Sequence, residues 1–411
     1  MPIASGVAKV VSFKKQVAGA LPAFQTPASG SGGYSMRRVT STLSLAKDPY
    51  ESEELSSTYQ RLDVRSGVRS VSGSINGELS PGSYQLPLAA LMHRDFTAVT
   101  ALTAVGLTVG SPTLGIYPLT RSAGDWYASG LKVGHVIRLS VGGMNAANLN
   151  KNLLVVGITS AVLCSVMPLN GVAMFPGGPI TGNTVTWAGK YSFATDSNHT
   201  DDCFTVEHWY PDVTQSEAYN GVKFVKADID LPPTGIAKIN FGAMGRDMTT
   251  GTTQVLTSPT ALTGGVVASV NGVMLINGVA QALLTGLSLS LDGEYSAEPV
   301  VGSNLYPEIF RGRVIVKGNA TVFFQDAVVR DLFVNETNVS IVAAFATGSS
   351  GTADFISFCL PNVKFMGADK SDGPKGLVQT MPFEALYLST GGAGTANEKT
   401  TLLIHDSLAT V

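Results

Sequence analysis

VSGSINGEL (71–79) and VKGNATVFF (316–324) share one plan: a valine, one residue, a glycine, then side chains alternating at period two. Such alternation reads as strands with one face buried and the other polar. The same pieces lead into both. A strand at 36–45 precedes a polar stretch, 48–65, that holds Glu51, Glu53, Glu54, Arg61, Asp63 and Arg65. A strand at 284–291 precedes a second, 292–310, that holds Glu294, Glu298 and Glu308. Both stretches are too charged for a core, so each is expected to be a long arm between two strands. A short helix is expected after each repeat. In 87–96, Leu88, Leu91 and Met92 fall at helical spacing behind Pro87, the pattern of an amphipathic helix. The second is placed at 325–333, with Asp95-Phe96-Thr97 and Asp331-Leu332-Phe333 at corresponding places. Further strands follow at 204–210, 222–229 and 236–241, then at 355–360 and 377–384. A duplicated β-rich unit accounts for this order.

Between the first helix and residue 204 lies a segment, 98–190, with no counterpart in the second half. It holds the strand candidates GLKVGHVIRL (130–139), NLLVVGITSAVLCSV (152–166) and NTVTW (183–187), with 142–151 as a loop. It reads as a small inserted β-barrel or sandwich, the barrel being preferred. The expected fold is therefore mainly β, with two tandem sandwich or barrel domains, each with one short flanking helix, plus the inserted barrel. The bounds are 1–97 with 191–262, then 98–190, then 263–411. At 411 residues the chain has room for two to three domains of ~150 residues.

Only 14% of the residues are charged, against roughly 25% in ordinary soluble domains. A chain so poor in charge is expected to have much of its surface covered by copies of itself. Its formal net charge of −3 provides no basic footprint for holding nucleic acid. Cys164, Cys203 and Cys359 are far apart and lack C-x-x-C spacing, which points to a reducing compartment rather than to disulfides or zinc. Residues 1–15 lack the continuous apolar core of a secretory signal. The apolar run 264–291 is broken by Asn271-Gly272, Asn277-Gly278 and Gly286, which mark turns and not a membrane helix. A soluble product made in the cytoplasm is expected.

Chemistry-bearing patterns are sparse. His199, Asp201, Asp202, Cys203 and His208 form one cluster of metal-ligating types, but Cys203 and His208 have opposite parity on the expected strand, and the spacing fits no zinc pattern. No G-x-S-x-G elbow occurs. Gly182 to Lys190 fails as a phosphate loop because six residues separate its glycines and Tyr191 follows the lysine. No carboxylate pair for glycoside cleavage stands out. The sequons at Asn198, Asn319, Asn335 and Asn338 matter only in a secreted eukaryotic protein, and the Gly-Ser run at 29–33 reads as a flexible connection. No catalytic residue, cofactor or metal is expected, and the chain is not read as an enzyme.

The ordered segments MPIASGVAKVVSFKK (1–15), RRVTSTLSLAKDPYESEEL (37–55), RLDVRSGVRSVSGSINGELSPGSY (61–84), SEAYNGVKF (216–224), PPTGIAKINFGAMGRDM (232–248), FISFCLPNVKFMGADKSDG (355–373) and TTLLIHDS (400–407) resemble the major tail tube proteins of long-tailed bacteriophages. The resemblance spans nearly the whole chain. GLKVGHVIRL is also similar to the family's inserted domain, with His135 where an Asp is more usual.

The resemblance implies tube-type domains whose inner strands close into one barrel across neighbouring subunits. It implies homotrimeric rings with pseudo-sixfold symmetry, stacked helically into a non-contractile tail of the virion. The implied partners are the chain itself, the tape measure protein and the tail terminator or tip proteins. Double-stranded DNA would pass through to the host without specific binding, and no membrane is involved. The arms at 46–67 and 292–310 then become candidates for contacts between rings, because charged rims set register. Their candidate residues are Asp48, Glu51, Glu53, Glu54, Arg61, Asp63, Arg65, Glu294, Glu298 and Glu308; the plainer account is a solvated hairpin tip. Glu78, Asp228, Asp230 and Glu384 lie on or beside strands and are weighed for the lumen against ordinary solvent-facing positions. The insert is expected outside, where it would not block the bore. Two other readings stay open: a contractile-tail tube protein, and an adhesin-like binder whose Trp126, Tyr127 and Trp187 stack on sugars.

Overall fold

The strand Val64–Glu78 buries Val71 and Ile75 on one side and turns Ser72, Ser74 and Asn76 to the other, as its alternation requires. It lies near the border of a long antiparallel sheet in a computed structural model that describes residues 3–17, 26–55, 57–281, 284–324, 328–371 and 376–409. Across this sheet the order is Ser44–Glu51, Val64–Glu78, Lys238–Gly245, Gln215–Leu231, Leu284–Asp292, Ile315–Phe323, Val378–Ala385 and the short Asp369–Lys370. The sheet passes without a break from the first half of the chain to the second, where Gln215–Leu231 pairs with Leu284–Asp292.

Further strands cover its apolar side. In the first half these are Val10–Lys15, Phe204–Tyr210, Asp247–Gly251 and the beginning of Gln215–Leu231. In the second they are Gly272–Ile276, Val339–Ala346, Phe355–Phe365, Leu403–Asp406 and Lys190–Phe193. Gln215–Leu231 and Phe355–Phe365 run through both layers and change partners along their length. One contiguous core fills the space between, with Phe204, Phe224, Phe241, Leu289, Val316, Phe358 and Phe383 all buried. Each such side chain stabilises the fold by about 1.5–3 kcal/mol.

The helices differ from the sequence reading. The first is Gln85–Met92, and all its residues are buried, so it is not amphipathic: it packs against both Gln215–Leu231 and Lys190–Phe193 and has no solvent face. His93 ends it in the left-handed conformation, its N–H reaching back to the carbonyls of Ala89 and Ala90. The second, Val328–Val334, begins beyond the expected start, part of which (325–327) lies outside the described residues. Asp95 and Phe96 follow the first helix, whereas Asp331, Leu332 and Phe333 are inside the second, so these triplets do not correspond.

Residues 102–187 close into a six-stranded barrel in the order Leu163–Pro168, Tyr117–Arg121, Leu102–Val109, Gly177–Trp187, Val136–Ser140 and Leu153–Ile158. The apolar run 152–166 is thus two antiparallel strands joined by a turn rather than one. The barrel sits on the side of the second half facing away from the long sheet. Alternate residues of Val339–Ala346 explain how: Ile341, Ala343 and Phe345 join the main core, while Val342, Ala344 and Ala346 join the core under the barrel. A strand apolar on both faces is the physical result of lying between two cores. At this junction His135 and His405 are fully buried with rings 5.5 Å apart. The Nδ1 of His405 accepts the Val136 N–H at 2.9 Å, and that of His135 accepts the Trp187 indole N–H at 3.0 Å.

Candidate assembly surfaces

The long sheet leaves one face uncovered, and cross-strand register shows what that face carries. One row runs Glu78, Lys238, Asp230, Ser288 and Asn319; the next runs Asn76, Asn240, Asp228, Ser290, Lys317 and Glu384. Lys226 and Asp292 belong to a third row. Their neighbours in sequence, Ile229, Ile239, Leu289 and Val316, point into the core. The face is therefore polar from one half to the other, with more carboxylates than ammonium groups. Two of its lysines are engaged: Lys226 lies 3.1 Å from Asp228 and Lys317 3.7 Å from Glu384. Glu78, Asp228, Asp230 and Glu384, four separate candidates in the sequence, share this one surface.

The two arms leave the same end of the sheet, but they are built differently. The first continues Ser44–Glu51 and Val64–Glu78 outward as a hairpin. Asp48, Glu51, Glu53, Glu54, Arg61, Asp63 and Arg65 are all exposed on it, with Arg61 paired to Glu51 at 2.7 Å and Arg65 to Asp63 at 2.6 Å. Its tip also exposes Leu55 and Tyr59 almost completely, together with Leu62 and Val64. The second arm folds back. Ser296–Ala297 pairs with Ile309–Phe310, and the Arg69 N–H donates to the Asn304 carbonyl at 2.8 Å. Glu294 pairs with Arg313 at 3.0 Å, and Glu298 is exposed. Glu308 is held inside the protomer by Lys223, whose Nζ lies 3.2 Å from it, 2.8 Å from Asp201 and 3.0 Å from the Ile309 carbonyl. The charge pattern alone had made these arms equivalent; only the pairing separates them.

The metal-type cluster is dispersed. His199 Nε2 contacts the Thr195 carbonyl, Asp201 pairs with Lys223, Asp202 with Lys15, the Cys203 thiol with Gln16 and His208 with the Ser41 hydroxyl. Among the described residues no group of three or more His, Cys, Asp or Glu is placed to hold a metal. In the barrel, Trp126 and Trp187 are buried with their indole N–H groups bonded internally, and the Tyr127 hydroxyl contacts the Ile158 carbonyl. These aromatics pack the barrel and form no outward stacking platform. No helix among the described residues is long and apolar enough to cross a membrane.

No curated protein matches the chain. The family model described as phage tail tube protein matches residues 6–385. With that match added to a mainly β fold, an uncovered polar sheet and a closed inserted barrel, the chain belongs to the phage tail tube protein family.

Proposed function

We propose that three copies form a ring, that rings stack into a hollow non-contractile tube, and that DNA passes along the polar face of the long sheet on its way to the host. The observation that carries this is the unbroken sheet itself. It has a polar, acid-rich face on one side, the whole apolar core on the other, and borders with no further strand among the described residues. An acidic face without a basic stripe repels phosphates rather than holding them, and the side with the barrel is the one directed away from it. The proposed units are 1–97 with 191–262, 98–190 and 263–411, with Lys190–Phe193, which pairs with Leu403–Asp406, assigned to the second half. The first arm, with Asp48 to Arg65 and the exposed Leu55 and Tyr59, reaches the next ring. Of the second arm, Glu298 is left free for that role, while Glu294 and Glu308 brace the protomer. The tape measure protein in the bore and terminator or tip proteins at the ends complete the set of partners. Negative-stain microscopy with mass determination of the purified protein tests the reading. Hollow tubes or threefold rings support it; a monomer that persists at high concentration counts against it.

A further inference from the structure

One strand pairing recurs in the two halves of the sheet. VKFVKAD (222–228) recurs as VKFMGAD (363–369). The recurrence is also one of position: Lys223 faces Met244 as Lys364 faces Glu384, Phe224 faces Ala243 as Phe365 faces Phe383, and Asp228 faces Asn240 as Asp369 faces Thr380. Leu-Ser-Leu recurs likewise at 43–45 and 289–291, where Leu45 faces Val71 as Leu291 faces Val316. Gly73 and Gly318 support this superposition independently. A Cβ on Gly73 would strike the carbonyl oxygen of Thr42, and one on Gly318 that of Ser288, so the same close approach recurs at matching places.

Inside the protomer the two recurring elements meet at a seam. Ala227 faces Leu291, Asp228 faces Ser290 and Ile229 faces Leu289, and the Ser290 hydroxyl donates to Asp228 Oδ1 at 2.7 Å. At the borders each lacks its partner. Asp369–Lys370 is exposed and pairs, among the described residues, only with Val378–Ala385. Ser44–Glu51 is exposed over nearly its whole length and pairs, among the described residues, only with Val64–Glu78.

We infer that the open edge at 367–370 of one copy pairs antiparallel with the strand beginning at Ser44 of the next, in the register of the internal seam. Ala368 then lies opposite Leu45, Asp369 opposite Ser44 and Lys370 opposite Leu43, and the Ser44 hydroxyl donates to Asp369. The inference rests on the tube reading and adds to it a specific contact. A head-to-tail contact of this kind joins two different surfaces of the same chain and closes into a ring on rotation, leaving no free strand edge.

Paired cysteines test the register. Ser44→Cys with Asp369→Cys, oxidised after assembly, should give covalent dimers and closed trimers that thiol dissolves, whereas either single variant should not. Asp228→Cys with Ser290→Cys is the internal control and should close within one chain. Shifting one partner, as Ser44→Cys with Gly367→Cys, should lose the crosslink. Crosslinking of the shifted pair in preference to Ser44 with Asp369 would overturn the inference. Should the double variant not assemble, cryo-electron microscopy of the unmodified tube decides: Asp369 beside Ser44 supports the register, and any other pairing refutes it while leaving the tube reading intact. Absence of rings from the unmodified protein would instead remove the tube reading, and this inference with it.

Discussion

Lys223 and Lys364 occupy matching places in the two halves of the sheet, yet their surroundings differ. The Lys223 side chain is 3% exposed and bonded to two carboxylates and a carbonyl; Lys364 is 36% exposed and pairs with Glu336 at 3.8 Å. The same contrast holds nearby. Every residue of the helix Gln85–Met92 is buried, while Val328–Val334 leaves Phe333 and Val334 exposed. The strand Gln215–Leu231 is flanked on both sides over 226–230, and its counterpart at 367–370 on one side. The first half is finished by the second. The second is left with the kind of surface that a further copy of the first would finish.

The largest effects should fall where the halves agree. Phe224 and Phe365 are both core residues, so Phe224→Ala and Phe365→Ala should each destabilise the protomer by about 3–5 kcal/mol in denaturant unfolding. A much smaller cost for Phe365→Ala would break the equivalence. Where the halves differ, so should the cost. Lys223→Met removes a buried hydrogen-bonded charge and should cost about 2–3 kcal/mol, while Lys364→Met, which loses a partly exposed ion pair, should cost under about 0.5 kcal/mol. Equal losses would mean that Glu308 does not brace the second arm.

Acid should act chiefly on the first half and the barrel junction. Burial holds His93 at about 4, His208 and His405 at about 3, and His135 well below its ordinary value. The unfolded chain takes up these protons near pH 6.5 and the folded chain does not, so the histidines' contribution to stability is complete above that pH. It should decline as the pH falls toward 4, by up to about 1.4 kcal/mol per pH unit for each histidine. Asp406, lifted by burial to about 7, works in the opposite direction and offsets one of them. Unfolding measured from pH 7 to 4 should show this decline, and His208→Gln should lessen its slope without abolishing it; a level profile in the unmodified protein would contradict the burial. The smallest effect on the protomer belongs to the free arm. Leu55→Ser with Tyr59→Ser should change its stability by no more than about 0.5 kcal/mol yet raise the concentration at which tubes form. Loss of protomer stability would show that the arm is not free.

Much of this was legible in the residues. The V-x-G plan located the strands Val64–Glu78 and Ile315–Phe323, and the short, turn-punctuated strands of 98–190 marked a small barrel or sandwich, of which 102–187 closes as a barrel. What was hidden depends on contacts between distant segments. The helix Gln85–Met92 looked amphipathic because sequence cannot show that Lys190–Phe193 covers its second side. Both VKF segments are plain in the sequence, but their equivalence emerges only when strand register places Asp228 and Asp369 opposite matching positions. Likewise, Glu308 belongs to the same charged run as Glu298, and only the position of Lys223 separates a brace from a free carboxylate.

The most direct measurement is a helical reconstruction of the assembled protein that identifies the face lining the bore. The expected result is a hollow tube with Glu78, Asp228, Asp230 and Glu384 facing inward and the barrel at 102–187 outside. Solid particles, or a tube with the barrel inside and that sheet face outward, would contradict it.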